Sequence, residues 1–268
     1  MLNTGRGAPQ PSEARGLLLV ADPVYDRDDP RLAALPKTPV PSGAAAAAPP
    51  PGSTGYQRLA YTAQEAAAIR GEFPAGETDQ LIGLDATRER FLAADLSRYR
   101  FIHIAAHGRV DARVPELSAL VLGSYDAVGR VVDGAVRVSD LALQTFHADV
   151  AVFSACDTAL GQQVASEGLV GIDSTVLARG ARAVVGSLWP VSDEIGAKLM
   201  TEFYQHLLRD SMSAPAALAA AMRTVVSRER AADPALWAAF QVSVVALGPG
   251  RPSRNGGLKV STKSAEGG

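Results

Sequence analysis

The chain alternates short apolar runs of strand length with stretches whose apolar residues recur at helical spacing. Residues 16–21, 99–108, 149–158 and 183–189 are rich in Leu, Val, Ile, Phe and Ala with little alternation. That is the pattern of strands covered on both faces of a parallel sheet. Residues 80–84 and a stretch within 236–247 read as further strands. Residues 119–123 and 134–138 read as a hairpin around a turn at 127–130. Helical spacing fills the intervals. A helix over 62–73 opens at Thr62, with Glu65 three positions on as a capping box, and stops at Pro74. Others cover 87–96, with Phe91 and Leu92 on one face, then 139–143, and 169–179 closed by Gly180. A long helix starts at Ser192, carries Asp193 and Glu194 in its first turn and has an Ile195, Leu199, Phe203, Leu207 stripe. The last helix runs from Ser213 to about Arg228. Strands alternating with helices predict an α/β domain of three layers with a mainly parallel central sheet.

The domain is expected over residues 16–248, between a disordered lead-in (1–15) and a disordered tail (249–268). Residues 23–55 form a long Pro- and Ala-rich connection, and the low-complexity tract at 43–52 is expected to be a mobile loop. Residues 161–168, glycine at both ends, are expected to be a flexible polar loop beyond the strand at 149–158.

Bulk composition narrows the function classes. With 268 residues, 47% apolar and 20% charged, the chain reads as a globular protein able to bury a sizeable core. A net charge of −2 supplies no electrostatic footprint for nucleic acid or an anionic membrane surface. No apolar run approaches the roughly 18 residues that span a bilayer, and the amino terminus lacks a secretory apolar core. A single cysteine excludes an internal disulfide. A cytoplasmic, reducing location is therefore expected.

Chemistry gathers at two strand ends. The run at 99–108 ends on His107 and Gly108, and the run at 149–158 carries Cys156 before Asp157. In open parallel sheets, ligands bind where loops leave the carboxyl ends of the strands. If the two strands are neighbours, about 4.8 Å apart, an imidazole and a thiol meet across one crevice, as a cysteine nucleophile with its base. A lone cysteine is ordinarily a small buried hydrophobe, so the joint His-Gly and Ala-Cys pattern carries the argument. The chain has no phosphate loop, no G-x-G-x-x-G after a strand and no G-x-S-x-G elbow. His103 and His107 lie about 13 Å apart on a strand, too far to share a metal. His103 reads as a satisfied interior histidine, and neither metal nor cofactor is expected.

Consecutive blocks resemble the CHAT-domain family, caspase-like cysteine peptidases related to separase. They include LLLVADPVY, FIHIAAHG, PELSALVLG, VAVFSACDTALG and SEGLVGIDSTVLARGARAVVGSLWPVSD, in that order, and span about residues 16–248. The His-to-Cys separation of roughly 50 residues is also that of caspases. The resemblance implies a three-layer α/β/α caspase-like fold and a dyad of His107 and Cys156. A cysteine endopeptidase acting on a protein or peptide is expected, with the Gly108 and Cys156 backbone N–H groups as oxyanion donors. Many relatives carry helical tetratricopeptide repeats before this domain. None is apparent here, so an activating sensor or repeat-domain partner is expected. Asp22, Asp157 and Asp193 end or follow the strands around the crevice, and Trp189 is expected to wall the substrate groove. Unpaired acids there favour cleavage after a basic residue, Arg above Lys, with Asp22 and Asp157 the nearer contacts. Two other classes fit the residues: a catalytically inactive scaffold for protein–protein signalling, and a cysteine amidase acting on small molecules.

Overall fold

The first apolar run becomes β1 (Arg15–Ala21). Leu17, Leu19 and Ala21 enter the core on one face of the sheet and Leu18 and Val20 the core on the other, which is why the run shows no polar alternation. The computed structural model describes residues 15–36, 55–111, 114–156, 170–229 and 233–245. Arg15, expected as the end of the disordered lead-in, is instead the first residue of β1; the rest of the lead-in, the 43–52 tract, the 161–168 loop and the tail all lie outside those residues.

After β1 the elements follow as a helical turn α1 (Pro30–Ala33), helix α2 (Thr62–Arg70), strand β2 (Thr78–Ile82) and helix α3 (Arg88–Ala93). Strand β3 (Tyr99–Arg109) precedes the hairpin β4 (Ala119–Val121) and β5 (Ala135–Arg137), then helix α4 (Val138–Ala142) and strand β6 (Val150–Cys156). Helix α5 (Val170–Ala178), strand β7 (Ala183–Ser187), helices α6 (Asp193–Leu208) and α7 (Ala214–Glu229) and strand β8 (Phe240–Val244) complete the order. The sheet runs β2-β1-β3-β6-β7-β8. All pairs along it are parallel except β7–β8, and the antiparallel hairpin branches from β3 through β4. Helices α2, α6 and α7 supply Ile69, Phe203 and Leu218 to the core on one face. On the other, α3, α4 and α5 supply Phe91, Leu141 and Val176. The three-layer α/β/α expectation with a mainly parallel sheet is met.

Several local expectations need correction. Thr62 is the first residue of α2 rather than its cap, and its hydroxyl donates backwards to the Leu59 carbonyl. Glu65 is buried instead of closing a capping box, with Oε1 2.9 Å from His103 Nε2. Ser192 sits at the cap position of α6, but its side chain makes no capping bond. The connection after β1 is not featureless: α1 forms there, and Arg31 ties it to Asp29 and Asp22. Gly180 does close α5, at φ +117, and an added Cβ would stand 2.2 Å from the Phe146 carbonyl oxygen, so no larger residue fits.

Candidate active site

From β1 the chain crosses to β2 on one side and returns to β3 on the other. That reversal is a topological switch point, the place where an open α/β sheet leaves a crevice at the carboxyl ends of its strands. Asp22 follows β1, and His107 lies near the end of β3. In the parallel β3–β6 ladder, His107 and Cys156 are Cα partners. The two positions expected to form the dyad therefore stand side by side, one strand spacing of about 4.8 Å apart.

The His107 ring is enclosed. It is 2% exposed and packs against the rings of Tyr25 and Tyr56 at centroid separations of 4.8 and 5.0 Å, in a cluster whose tyrosine rings are 5.9 Å apart. Its Nε2 lies 2.7 Å from the carbonyl oxygen of Gln57. A carbonyl only accepts, so Nε2 carries the proton, and in the neutral ring Nδ1 is then the basic nitrogen. Burial pushes the His107 pKa below its usual value, partly offset by the Gln57 carbonyl, which favours the charged form. The imidazole is neutral at pH 7, the state a base requires. Below it, the His107 N–H donates to the Tyr25 hydroxyl at 3.2 Å, and that hydroxyl donates to the Val121 carbonyl at 2.9 Å. The phenol thus bridges β3 and β4 where they pair. Burial holds its pKa well above the usual range, so it remains a donor. Gly108 is the Cα partner of Leu120 on β4.

The acids around the crevice differ in their partners. Asp22 is buried, with a left-handed backbone (φ +51). Arg58 grips it with two hydrogen bonds, Nε to Oδ1 at 2.8 Å and Nη2 to Oδ2 at 2.9 Å. Arg31 Nη1 adds 2.8 Å to Oδ2 and 2.9 Å to the Asp22 carbonyl. The expectation that Asp22 awaits an incoming basic side chain is corrected: the chain's own two guanidinium groups already neutralise it. Asp193, half-buried at the start of α6, accepts the Tyr61 N–H at 2.7 Å and has no ion-pair partner among the described residues. Burial raises its pKa, the Tyr61 bond lowers it, and the charges of Glu65 and Asp22 raise it further. Trp189 lies beyond the end of β7, partly exposed, with its indole N–H on the Ala235 carbonyl at 3.0 Å. Asp157 lies outside the described residues. His103 is interior as expected, facing Glu65, but Nδ1 has no hydrogen-bond partner among the described residues and the 2.9 Å contact is too poorly aligned to be a hydrogen bond. No group of three or more metal-binding side chains occurs among the described residues.

Sequence reasoning missed the Gln57 carbonyl, the two tyrosines and Arg58. A backbone carbonyl leaves no mark in a sequence. Tyr56, Gln57 and Arg58 also follow directly on the long connection that composition marks as unstructured.

The chain belongs to the CHAT domain family, which it matches over residues 2–246. Among characterised proteins it is 30% identical over 194 residues to tetratricopeptide repeat protein 28 of Mus musculus, and 28% identical over 190 residues to the Homo sapiens protein of that name. Each match covers 60% of this chain and 8% of the relative, so the chain spans under a tenth of the length of these proteins. Among solved structures, the Arg-specific cysteine proteinase gingipain R superposes with a TM-score of 0.47 at 10% identity, covering 85% of this chain and 45% of that one. No helix among the described residues is long and apolar enough to cross a membrane.

Proposed function

We propose that the chain is a cysteine endopeptidase of caspase-like type in which His107 and Cys156 form the catalytic dyad. The observation that carries this reading is the pairing of the two positions across β3 and β6, together with a neutral His107 whose proton is fixed on Nε2. His107 Nδ1 takes the proton of the Cys156 thiol, and the thiolate attacks the scissile carbonyl carbon. The resulting oxyanion is met by backbone N–H groups of Gly108 and Cys156. The imidazolium returns its proton to the leaving amine, which departs and leaves an acyl-enzyme. Water, deprotonated by the same imidazole, then attacks the thioester and releases the carboxylic acid and the thiol. The Gln57 carbonyl steadies the imidazolium formed in between. No metal or cofactor takes part.

The substrate is a protein or peptide cut after a basic residue, Arg above Lys. Asp193 supports this choice, being an acid with no ion-pair partner among the described residues. Asp157 is the second contact, and Trp189 walls the groove. Enclosure of His107 by Tyr25 and Tyr56 supports a latent resting state that a partner opens, and the repeat-containing relatives suggest a repeat-domain sensor for that role. The reaction is placed in the cytoplasm, where the thiol stays reduced. An electrophilic peptide probe tests the proposal. It should label the parent and not Cys156→Ala, and labelling should depend on the peptide sequence. Absence of mechanism-dependent label even with the activating partner present would leave a signalling scaffold, and label indifferent to sequence a small-molecule amidase.

A further inference from the structure

The segment that carries the Gln57 carbonyl is held at two carboxylates. Tyr61 N–H donates to Asp193 at one end, and Arg58, next to Gln57, is clamped on Asp22 at the other. Arg58 itself is half-exposed, whereas the Asp22 side chain is 7% exposed and fixed from behind by Arg31. A fork-to-carboxylate pair of this geometry fixes direction as well as distance, which a single point charge does not. The residue adjoining Arg58 therefore has little freedom to move its carbonyl.

We propose that Arg58 is a positioning residue: its bidentate pair with Asp22 holds the Gln57 carbonyl against His107 Nε2 and so sets which ring nitrogen carries the proton. Loosening Arg58 lets the carbonyl drift. The imidazole then shares its proton between the two nitrogens, and part of the population presents N–H rather than a lone pair at Nδ1. The kinetic consequence rests on the peptidase reading; the tautomer consequence does not.

The test compares the parent, Arg58→Ala and Arg58→Lys by nitrogen NMR of the His107 ring, assigned with His107→Ala, alongside peptide turnover. The parent should hold the Nε2–H form. Arg58→Ala should show a mixture of tautomers and lose roughly tenfold in kcat, with KM changed less than about twofold. Arg58→Lys keeps the charge but not the fork, and should fall between the two. It also preserves the test if the alanine variant folds poorly. A tautomer shift with no turnover in any variant, the parent included, even with the activating partner present, would support the clamp and remove the peptidase reading. The parent's Nε2–H form persisting unchanged in both folded variants would overturn the clamp, since Tyr61 and Asp193 would then suffice to hold the segment.

Discussion

His107 Nε2 and the Gln57 carbonyl oxygen are 2.7 Å apart, joining the end of β3 to a segment fifty positions earlier in the chain. The bond orients a base that burial keeps neutral. A lowered pKa means the ring loses its proton below the usual value of about 6.5. The acid limb of kcat/KM should therefore lie below pH 6.5, with activity rising as pH climbs through it. A pH–rate profile checks this, and an acid limb at or above 6.5 would contradict it.

Asp173 on α5 gives the opposite pH dependence, in stability. It is buried against Gly186 of β7, with Oδ1 lacking a hydrogen-bond partner among the described residues, and burial pushes its pKa up to about 7. The unfolded carboxyl ionises near 4, while the folded one keeps its proton until about 7. The associated stability is complete below pH 4 and declines as pH rises to 7, by up to about 4 kcal/mol. Asp173→Asn should flatten that slope in denaturant titrations at pH 4, 6 and 8. Parallel slopes in parent and variant would show that Asp173 ionises freely in the fold.

Glu65 and His103 form a contact between α2 and β3 in the core, with side chains 1% and 0% exposed. Removing one partner of a buried pair leaves the other uncompensated. Glu65→Ala should therefore cost about 1–3 kcal/mol, the scale of a buried polar group left without its neighbour. Replacing both residues with apolar side chains should cost much less than the sum of the single changes. Thermal unfolding of the three variants measures this, and an additive result would mean the two residues do not interact.

Asp22 is already paired with Arg31 and Arg58, so the proposed choice of a basic substrate residue rests on Asp193. A peptide library varied at the residue before the cut should favour Arg, then Lys. Asp193→Ala should lower kcat/KM for the Arg peptide about tenfold or more, the scale of a lost charge-assisted hydrogen bond. Preference for acidic or large apolar residues, unchanged in Asp193→Ala, would exclude this role.

The parts of the fold written in side-chain periodicity were legible in the sequence. The strands β1, β3, β6 and β7 are predominantly apolar with little alternation because both their faces are covered, and Gly180 announced the end of α5. The pairing of His107 with Cys156 followed from two strand ends. The capping box expected at Thr62 does not form because a local motif competes with tertiary contacts, and burial beside His103 claims Glu65; nothing in the structure explains the uncapped Ser192 side chain. The state of Asp22 was illegible because its partners Arg31 and Arg58 lie 9 and 36 positions away, the second beyond a long connection.

The dyad is tested most directly by turnover of a peptide found by unbiased cleavage profiling, measured on the parent, Cys156→Ala and His107→Ala with folding checked by circular dichroism and, where latency requires it, with the activating partner present. Each substitution should lower kcat/KM by about a thousandfold or more while the fold remains. Turnover equal to the parent in either folded variant would remove that residue from the mechanism.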